Sequence, residues 1–273
     1  MLIALLIALG VVGGSGLICA LILVVASHFF NVAEDEKTTR IRECLPGVNC
    51  GACGYSGCNE YAKALANNQS EPNLCIPGST QVANQLAEIL GVSVSASKPK
   101  VAFVKCNGKC GEENQKAVYD GIRTCKASSQ LYGGTFNCRF SCLGCGDCAA
   151  VCPTGAICME SGIAYVDPEA CIGCGKCVKT CPKNIIILRP DDSAVSVMCS
   201  SRDTGAIARK ACENACIGCK KCEKICPEGA ITVNNNLAEI DFEKCKACGL
   251  CVGTCPVGCI KVTGITRALE NNE

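Results

Sequence analysis

The sequence predicts an α+β protein that is organised around bound metal rather than a large apolar core, with one transmembrane helix at its N-terminus. Thirty of the 273 residues are cysteine, a frequency typical of dense cross-linking or dense metal binding. Only five Tyr and six Phe are present, with no Trp, so large side chains contribute little to a core. The third observation is that residues 1–30 contain no Asp, Glu, Lys or Arg.

The apolar N-terminal stretch is long enough to cross a membrane as a single helix. Residues 2–26 would extend roughly 37 Å as a helix, against about 30 Å for a hydrocarbon core. A signal peptide fits less well, because no basic region precedes the stretch and no clear Ala-x-Ala site follows it. Every Lys and Arg follows the span, beginning with Lys37. The positive-inside tendency therefore predicts a single-pass protein of the cell membrane whose remaining chain faces the cytoplasm.

The predicted compartment decides how the cysteines are used. A cytoplasmic chain keeps its thiols reduced, which favours metal ligands over disulfides. The single histidine, His28, follows the apolar stretch, so the remaining chain lacks the imidazole of a Ser-His-Asp site, a two-histidine zinc site or a Rieske centre. No phosphate-binding loop and no basic patch suited to nucleic acid is present, and we expect no nucleic-acid partner.

Four cysteine runs of identical spacing dominate the C-terminal half of the chain. Each reads Cys-x2-Cys-x2-Cys-x3-Cys-Pro, and the runs begin at Cys142, Cys171, Cys216 and Cys245. Three thiolates at this spacing wrap one [4Fe-4S] cluster, while the fourth cysteine ligates the neighbouring cluster. Zinc sites favour two Cys-x2-Cys pairs separated by a longer loop, which is a poorer match. The runs therefore predict two bacterial-type 2[4Fe-4S] ferredoxin-like modules.

Crossed ligation within each module defines four predicted cluster sites. They are group 1 (Cys142, Cys145, Cys148 and Cys181), group 2 (Cys171, Cys174, Cys177 and Cys152), group 3 (Cys216, Cys219, Cys222 and Cys255) and group 4 (Cys245, Cys248, Cys251 and Cys226).

The two modules are a tandem duplication. Each cysteine of the first pair of runs has a counterpart 74 residues later, and the same offset relates Cys125 to Cys199 and Cys138 to Cys212. A short hairpin pattern lies between the runs of each module. In the first module residues 156–159 face residues 163–166, and in the second residues 230–233 face residues 237–240.

A separate cysteine unit precedes the modules. Its glycine-rich loop reads LPGVNCGACGYSGC and is followed by a downstream cysteine. The four thiols can cage one further cubane, and we name them group N (Cys50, Cys53, Cys58 and Cys75). A tetrahedral four-cysteine zinc site stays open as an alternative here, because the spacing does not exclude it. Residues 81–90 predict a helix, and residues 100–105 predict a strand.

The N-terminal span, the charged linker, the LPGVNCGACGYSGC block and the ferredoxin runs together resemble the B subunit of the Rnf complex, the ion-translocating ferredoxin:NAD⁺ oxidoreductase. The resemblance covers essentially the whole chain. It implies that groups N and 1 to 4 hold five [4Fe-4S] clusters, and that electrons enter from reduced ferredoxin and leave to other subunits of the same complex. Flavin and nicotinamide sites are expected on those partners and not on this chain. The chain resembles the longer form with two ferredoxin pairs, and the order of electron flow stays open.

Two other functions remain open from the sequence. The chain fits a polyferredoxin subunit of another membrane oxidoreductase, such as a hydrogenase or formate-linked enzyme, although the LPGVNCGACG block argues against it. It also fits a cysteine-rich metal-binding module. Lysines near the runs either steer an acidic ferredoxin or form an ordinary solvated face. They are Lys179, Lys183, Lys220, Lys221, Lys224, Lys244 and Lys246.

Ten cysteines remain outside the five groups. Cys158 and Cys259 follow Cys-Pro turns in strand-like positions, where we expect buried thiols. Cys106, Cys110, Cys125 and Cys138 precede the first run and suffice for a sixth cluster, with buried structural thiols as the equal alternative. The repeat argues against this sixth set, because Cys106 and Cys110 have no counterpart at the 74-residue offset.

Composition and spacing divide the chain into eight predicted segments. They are an anchor (1–30), a charged linker (31–43), the group N domain (44–91), a linker with a cysteine-bearing extension (92–136), the first module (137–190), a connecting strand (191–198), the second module (199–265) and a tail (266–273).

Overall fold

The computed structural model describes residues 2–29, 36–93, 98–108 and 114–263. The chain separates into two compact units, residues 1–40 and residues 41–273. The first unit contains α1 (Leu2–Phe29), and α2 (Glu36–Cys44) begins within it. Within α1, solvent exposure is described at Gly10 and at residues 13–26. Among the described residues no helix is long and apolar enough to cross a membrane, so the single-pass anchor stays a prediction.

The group N domain is a small helical unit. Its helices are the end of α2, α3 (Cys58–Ala66) and α4 (Ser79–Leu90). The helix predicted at residues 81–90 is confirmed, and it ends at Gly91, whose left-handed backbone caps it. A compact apolar core joins these elements through Ile41, Tyr61, Leu65 and Leu86. This core holds the glycine-rich cysteine loop against α3.

The first module is built from two antiparallel strand pairs with short helices between them. Its elements are β1 (Lys100–Val104), α5 (Cys125–Gln130), α6 (Asp147–Ala150), β2 (Ile157–Glu160), β3 (Ile163–Val166), α7 (Lys176–Thr180) and β4 (Ile186–Pro190). Strands β2 and β3 form the predicted hairpin, with Ile157 opposite Val166. Strand β4 pairs with β1, with Val104 opposite Ile186. The module therefore begins earlier than the predicted boundary at residue 137, because β1 supplies its second sheet.

The second module repeats this architecture. Its elements are β5 (Val195–Val197), α8 (Gly205–Ala211), α9 (Lys221–Ile225), β6 (Ile231–Asn234), β7 (Leu237–Ile240), α10 (Leu250–Thr254) and β8 (Ile260–Val262). Strands β6 and β7 form the predicted hairpin, and β5 pairs with β8. Strand β5 lies inside the predicted connecting segment, where it has the same role for the second module that β1 has for the first. The α+β prediction is confirmed.

Glycine is required where each first cysteine run passes over the hairpin turn of its module. Gly144 has a φ of +76°, and a Cβ placed on it would stand 2.7 Å from the Gly162 carbonyl oxygen. Gly218, its counterpart in the second module, has a φ of +64°, and a Cβ there would stand 3.0 Å from Asn236 Cα. Any larger residue would displace the cysteine loop from its hairpin.

Arg189 in β4 ties the two modules together. Its side chain is only 3% exposed, and its guanidinium lies over the Phe103 ring at 4.6 Å from the centroid. It donates hydrogen bonds to Ser196 Oγ at 2.6 Å and to the Thr263 carbonyl oxygen at 2.7 Å. Burial lowers the pKa of this guanidinium, although the group stays protonated at neutral pH. One side chain of the first module therefore satisfies polar groups at both strands of the β5–β8 pair.

Replacing Arg189 with methionine is expected to destabilise the protein. The variant Arg189→Met keeps much of the aliphatic packing but leaves the buried acceptors at Ser196 and Thr263 without donors, which costs about 3 kcal/mol. The thermal midpoint measured by circular dichroism should fall by on the order of 5–10 °C. Lys98→Met removes an exposed ion pair with Asp192 and should shift the midpoint by less than about 3 °C. Equal shifts in the two variants would contradict this assignment.

Candidate metal centre

The backbone of each cysteine run places its third thiol in the same way. Cys148, Cys177, Cys222 and Cys251 all lie on the first turn of a short helix, and all are buried. The residue before each helix has left-handed backbone and is Gly146, Gly175, Lys220 or Gly249. This turn reverses the chain between the second and third cysteines, so three sulfurs of one run face the same space.

The fourth cysteine of a run leaves its helix in an extended conformation. Cys181, Cys226 and Cys255 have φ near −73° and ψ between 111° and 112°. The following proline has no N–H that would be left unsatisfied, and it fixes the direction of the chain. Each fourth sulfur is thereby carried away from its own run and toward the other run of the module.

The structure brings the group 1 thiols together across the module. Cys142, Cys148 and Cys181 line one small cavity. Burial raises the pKa of Cys142 and Cys148 most, and the charge of nearby Cys181 raises it further. Cys145 lies beside Cys142.

Group 2 is assembled by the reciprocal contact. Cys152 lies near Cys174 and Cys177, and Cys171 neighbours the same two thiols. The Cys171 sulfur also accepts a hydrogen bond from the Ala102 N–H at 3.4 Å. This contact fixes β1 to the cysteine loop of the first module.

The second module assembles groups 3 and 4 in the same crossed way. The four thiols of group 3 line one cavity, and they belong to Cys216, Cys219, Cys222 and Cys255. In group 4, the thiols of Cys226, Cys245 and Cys248 surround Cys251.

Group N is also assembled, and it lies next to group 2. Cys75 is surrounded by Cys50, Cys53 and Cys58. Asn49 shapes the loop, because its side-chain oxygen accepts the Cys58 N–H at 2.9 Å. Cys50 lies close enough to Cys174 for its charge to raise the pKa of that thiol. Groups N and 2 are therefore neighbours.

Burial raises the pKa of several of these thiols. Desolvation raises the pKa of Cys148 to about 12, and that of Cys177 and Cys222 to about 11. Such thiols hold their protons at neutral pH until a metal replaces them, so metal binding releases protons. Cys216 and Cys255 differ, because hydrogen bonding by the Cys259 thiol lowers their pKa to about 6 and about 5.

Each group offers four cysteine thiols as its donors. Among the described residues, no three or more His, Cys, Asp or Glu side chains are arranged to hold a single metal ion. A cubane is ligated at four different irons, and its thiolates stand correspondingly further apart. The donor set of each group, four cysteines around a shared space, has the composition that a [4Fe-4S] cluster requires.

The remaining cysteines do not follow the sequence predictions uniformly. Cys259 is buried as expected, whereas Cys158 is exposed, so the prediction of a buried thiol is wrong there. In β2 the side chain of Cys158 points to the solvent face of the hairpin, opposite Tyr165, which is also exposed. Cys19 is exposed, and Cys44 is half-buried against the group N core.

The predicted sixth set is not brought together as a whole. Cys125 lies with group 1, where it forms a hydrogen bond with Cys145. Cys106 and Cys138 line a different cavity, which Cys199 and Cys212 share with them. Cys110 lies outside the described residues. The sequence analysis did not predict that Cys199 and Cys212 lie with Cys106 and Cys138 in one cavity. The 74-residue repeat did mark Cys199 and Cys212 as part of the second module.

Comparison with protein families matches each of these cysteine units. Residues 45–77 match the FeS family, described as an Fe-S cluster family. Residues 141–185 and 215–259 match one 4Fe-4S dicluster domain family, and residues 170–231 match a second. The ferredoxin-like prediction is therefore confirmed for both modules.

Three relatives are similar over most of the chain. The B subunit of the Na⁺-translocating ferredoxin:NAD⁺ oxidoreductase complex of Acetobacterium woodii is 43% identical over 95% of this chain and 78% of its own length. The B subunit of the proton-translocating ferredoxin:NAD⁺ oxidoreductase complex of Clostridium ljungdahlii is 44% identical over 90% of this chain and 88% of its own. The B subunit of an ion-translocating oxidoreductase complex of Methanosarcina acetivorans is 38% identical over 93% and 97%.

The crossed grouping can be tested by removing two thiols at once. In a Cys125→Ala background, which removes the spare thiol beside group 1, Cys145→Ser combined with Cys181→Ser takes two ligands from one group. We expect a loss of about four irons per chain relative to the background. Cys145→Ser combined with Cys174→Ser takes one ligand from each of two groups and should cost about eight.

Iron and acid-labile sulfide are measured on anaerobically purified protein, with the exposed Cys158→Ser variant as the control. If each run used its own fourth cysteine, the Cys145 and Cys181 pair would instead cost about eight irons.

Proposed function

Since the chain belongs to the family of B subunits of ion-translocating ferredoxin:NAD⁺ oxidoreductase complexes, we propose that it accepts electrons from reduced ferredoxin and relays them to partner subunits of the same complex. It is a multi-cluster electron-transfer subunit of such an oxidoreductase. The polyferredoxin and metal-binding alternatives are set aside, because the relatives at 38–44% identity are all named as the B subunit of an ion-translocating complex.

One observation carries the assignment of the cofactors. Twenty cysteines lie in five groups of four, and in each module the fourth cysteine of one run joins the other run. We assign a [4Fe-4S] cluster to each of groups N, 1, 2, 3 and 4. When bound, such clusters supply one-electron chemistry at low potential.

The chain's own residues set the surroundings of that chemistry. The thiols lose their protons on binding, and the buried third cysteines exclude water from one side of each of groups 1 to 4. Backbone N–H groups stabilise the sulfur charge. Examples are Gly144 N–H toward Cys142, Lys176 N–H toward Cys174 and Gly218 N–H toward Cys216. We place no substrate-converting site on this chain, and we assign flavin and nicotinamide binding to the partner subunits.

The exposed side of the second module fits a site where electrons enter the chain. Cys219 of group 3 and Cys248 of group 4 are the exposed thiols among the five groups. Lys220, Lys221 and Lys224 follow Cys219 within five positions and are themselves exposed. A cationic surface beside an accessible cluster would attract an acidic ferredoxin. We therefore propose that ferredoxin docks on this lysine surface, defined by Lys220, Lys221 and Lys224.

Reversing the charge of the lysine surface should slow reduction by ferredoxin. The variant with Lys220, Lys221 and Lys224 changed to Glu is expected to accept electrons from reduced ferredoxin about tenfold more slowly at low salt, because electrostatic steering is lost. The rate is measured by stopped-flow bleaching of the visible absorbance. Reduction by dithionite should be unchanged, which shows that the acceptor groups are intact.

A control with the same change in charge uses Lys63, Lys98 and Lys126, which are exposed at other places on the chain. Equal rates with ferredoxin in the two triple variants would refute docking at the lysine surface. Failure of the unaltered protein to accept electrons from ferredoxin would refute the proposed function itself.

The predicted anchor supports attachment of the chain to a membrane complex. We propose that residues 1–30 cross the membrane once and that the cysteine groups face the cytoplasm. All five groups lie in the second compact unit, so the anchor supplies none of their thiols. This separation predicts that the cysteine-bearing part does not need the anchor in order to fold.

Removing residues 1–30 should release a brown protein into the soluble fraction with its iron content unchanged. Fractionation of membranes and iron analysis measure the outcome, and the full chain expressed in parallel is the control. A truncated chain that stays in the membrane after a salt wash, or that loses all its iron, would disprove this division of the chain.

A further inference from the structure

A cavity of 370 Å³ lies between the two ferredoxin-like modules, and four cysteines outside the five groups line it. Cys106, which follows β1, and Cys138 come from the first module. Cys199, which follows β5, and Cys212 come from the second. Cys106 and Cys199 are buried, and Cys138 and Cys212 are half-buried.

We propose that Cys106, Cys138, Cys199 and Cys212 bind a sixth [4Fe-4S] cluster that connects the two modules. On binding, each thiol gives up its proton and forms one sulfur–iron bond, so the site takes four irons and four sulfides. The inference rests on the proposed function, because a cluster at this place serves a relay.

The four cysteines form two equivalent pairs, one from each module. Cys106 lies two residues after β1 ends, and Cys199 lies two residues after β5 ends. Cys138 and Cys212 each lie four residues before the first cysteine of a run. The structural counterpart of Cys106 is thus Cys199. The 74-residue offset does not reveal this pair, because the segment between β1 and the first cysteine run is longer than the segment between β5 and the third run. Two copies of one half-site meet face to face between the modules.

Backbone hydrogen bonds confirm this equivalence. The Cys199 sulfur accepts hydrogen bonds from the Cys216 N–H at 3.3 Å and the Ser201 N–H at 3.4 Å. The N–H groups of Cys142 and Gly108 act in the same way on the Cys106 sulfur. Cys142 and Cys216 are the first cysteines of equivalent runs, so each half-site receives the same two donors.

The same local geometry is found at thiols of groups 1, 2 and 3. At Cys106, Cys138 and Cys199 the N–H two residues later faces the sulfur. The N–H two residues later also faces Cys142, Cys174, Cys216 and Cys255 in the groups described above. Such donors stabilise a thiolate that holds iron, whereas a structural thiol packed in a core has no need of them.

The sulfurs face one another across a space that is bordered by small groups and positive charge. A Cβ placed on Gly108 would stand 3.6 Å from the Cys212 sulfur and 3.9 Å from the Cys106 sulfur, so glycine keeps this side of the cavity open. Lys105, Arg209, Lys210 and Glu213 also line the cavity. Three cationic side chains against one carboxylate leave a positive balance, which offsets the negative charge that four thiolates bring into the site.

The cavity lies between group 1 and group 3. Cys106 is a neighbour of Cys142 in group 1, and Cys199 accepts the N–H of Cys216 in group 3. Group N lies beside group 2 at Cys50 and Cys174. The proposed cluster therefore completes a single file, which runs from group N through groups 2 and 1 to the new site and then to groups 3 and 4.

The test is iron, sulfide and zinc analysis of the full-length protein, reconstituted anaerobically with iron and sulfide. The unaltered chain should hold about 24 irons, and the double variant Cys138→Ser and Cys212→Ser about 20. Cys158→Ser and Cys125→Ser are the controls, and both should retain about 24. Low-temperature electron paramagnetic resonance of the reduced double variant should still show the signals of five clusters, which establishes that it is folded.

Each other outcome overturns a defined part of the proposal. An unaltered chain with about 20 irons, unchanged in the double variant, would refute the sixth cluster and leave the five groups standing. One zinc per chain, lost in the double variant, would make the site a zinc site. Retention of about 24 irons in the double variant would refute the ligand set assigned to this cavity, and a loss of about four irons in Cys125→Ser alone would then point to group 1, beside which that thiol lies. An unaltered chain with far fewer than about 20 irons would instead count against the five groups and the proposed function.

A second readout follows electron transfer between the modules. When reduced ferredoxin is mixed with the double variant, groups 3 and 4 should be reduced as fast as in the unaltered chain, and groups 1, 2 and N more than tenfold more slowly. Identical single-phase reduction in both proteins, followed by rapid freezing and paramagnetic resonance, would contradict the connecting role.

Discussion

The constraint on which the rest of this structure depends is the exchange of the fourth cysteine between the two runs of a module. In each run the backbone turns at a left-handed residue, so three sulfurs lie on one side of the loop. The fourth sulfur lies beside the other run of the module. Neither run completes a group alone. The two strand pairs of a module therefore serve mainly to hold its two cysteine loops in register, which explains why strands of three to five residues and few aromatic side chains suffice.

Duplication of the module created a new surface as well as a second copy. The strand that completes each module, β1 or β5, is followed two residues later by a cysteine, and both cysteines line the cavity between the modules. Arg189 spans the same junction through its buried contacts with Ser196 and Thr263. A buried cation thus connects the two modules, and four thiols face one another at the same junction.

The placement of the groups agrees with a relay whose ends are chemically different. Group N belongs to a helical domain with its own apolar core, and it meets the modules at group 2. At the other end, groups 3 and 4 each present an exposed thiol. Lys220, Lys221 and Lys224 follow the first of these, Cys219, within five positions, whereas Lys244 and Lys246 near Cys248 form ion pairs with Asp241 and Glu228. The accessible end and the protected end of the relay therefore lie on different domains.

The sequence by itself determined the four cysteine runs and predicted the membership of the five groups, because cysteine spacing, glycine turns and proline exits act over short distances within each run. It also determined both hairpins and helix α4, where local pattern and turn residues agree. Only the tertiary structure decided that β1 belongs to the first module, that Cys125 lies with group 1, that Cys158 is exposed, and that Cys106 and Cys138 face Cys199 and Cys212. These outcomes depend on strand pairing and module packing between residues distant along the chain, and no local spacing encodes which distant surfaces will meet.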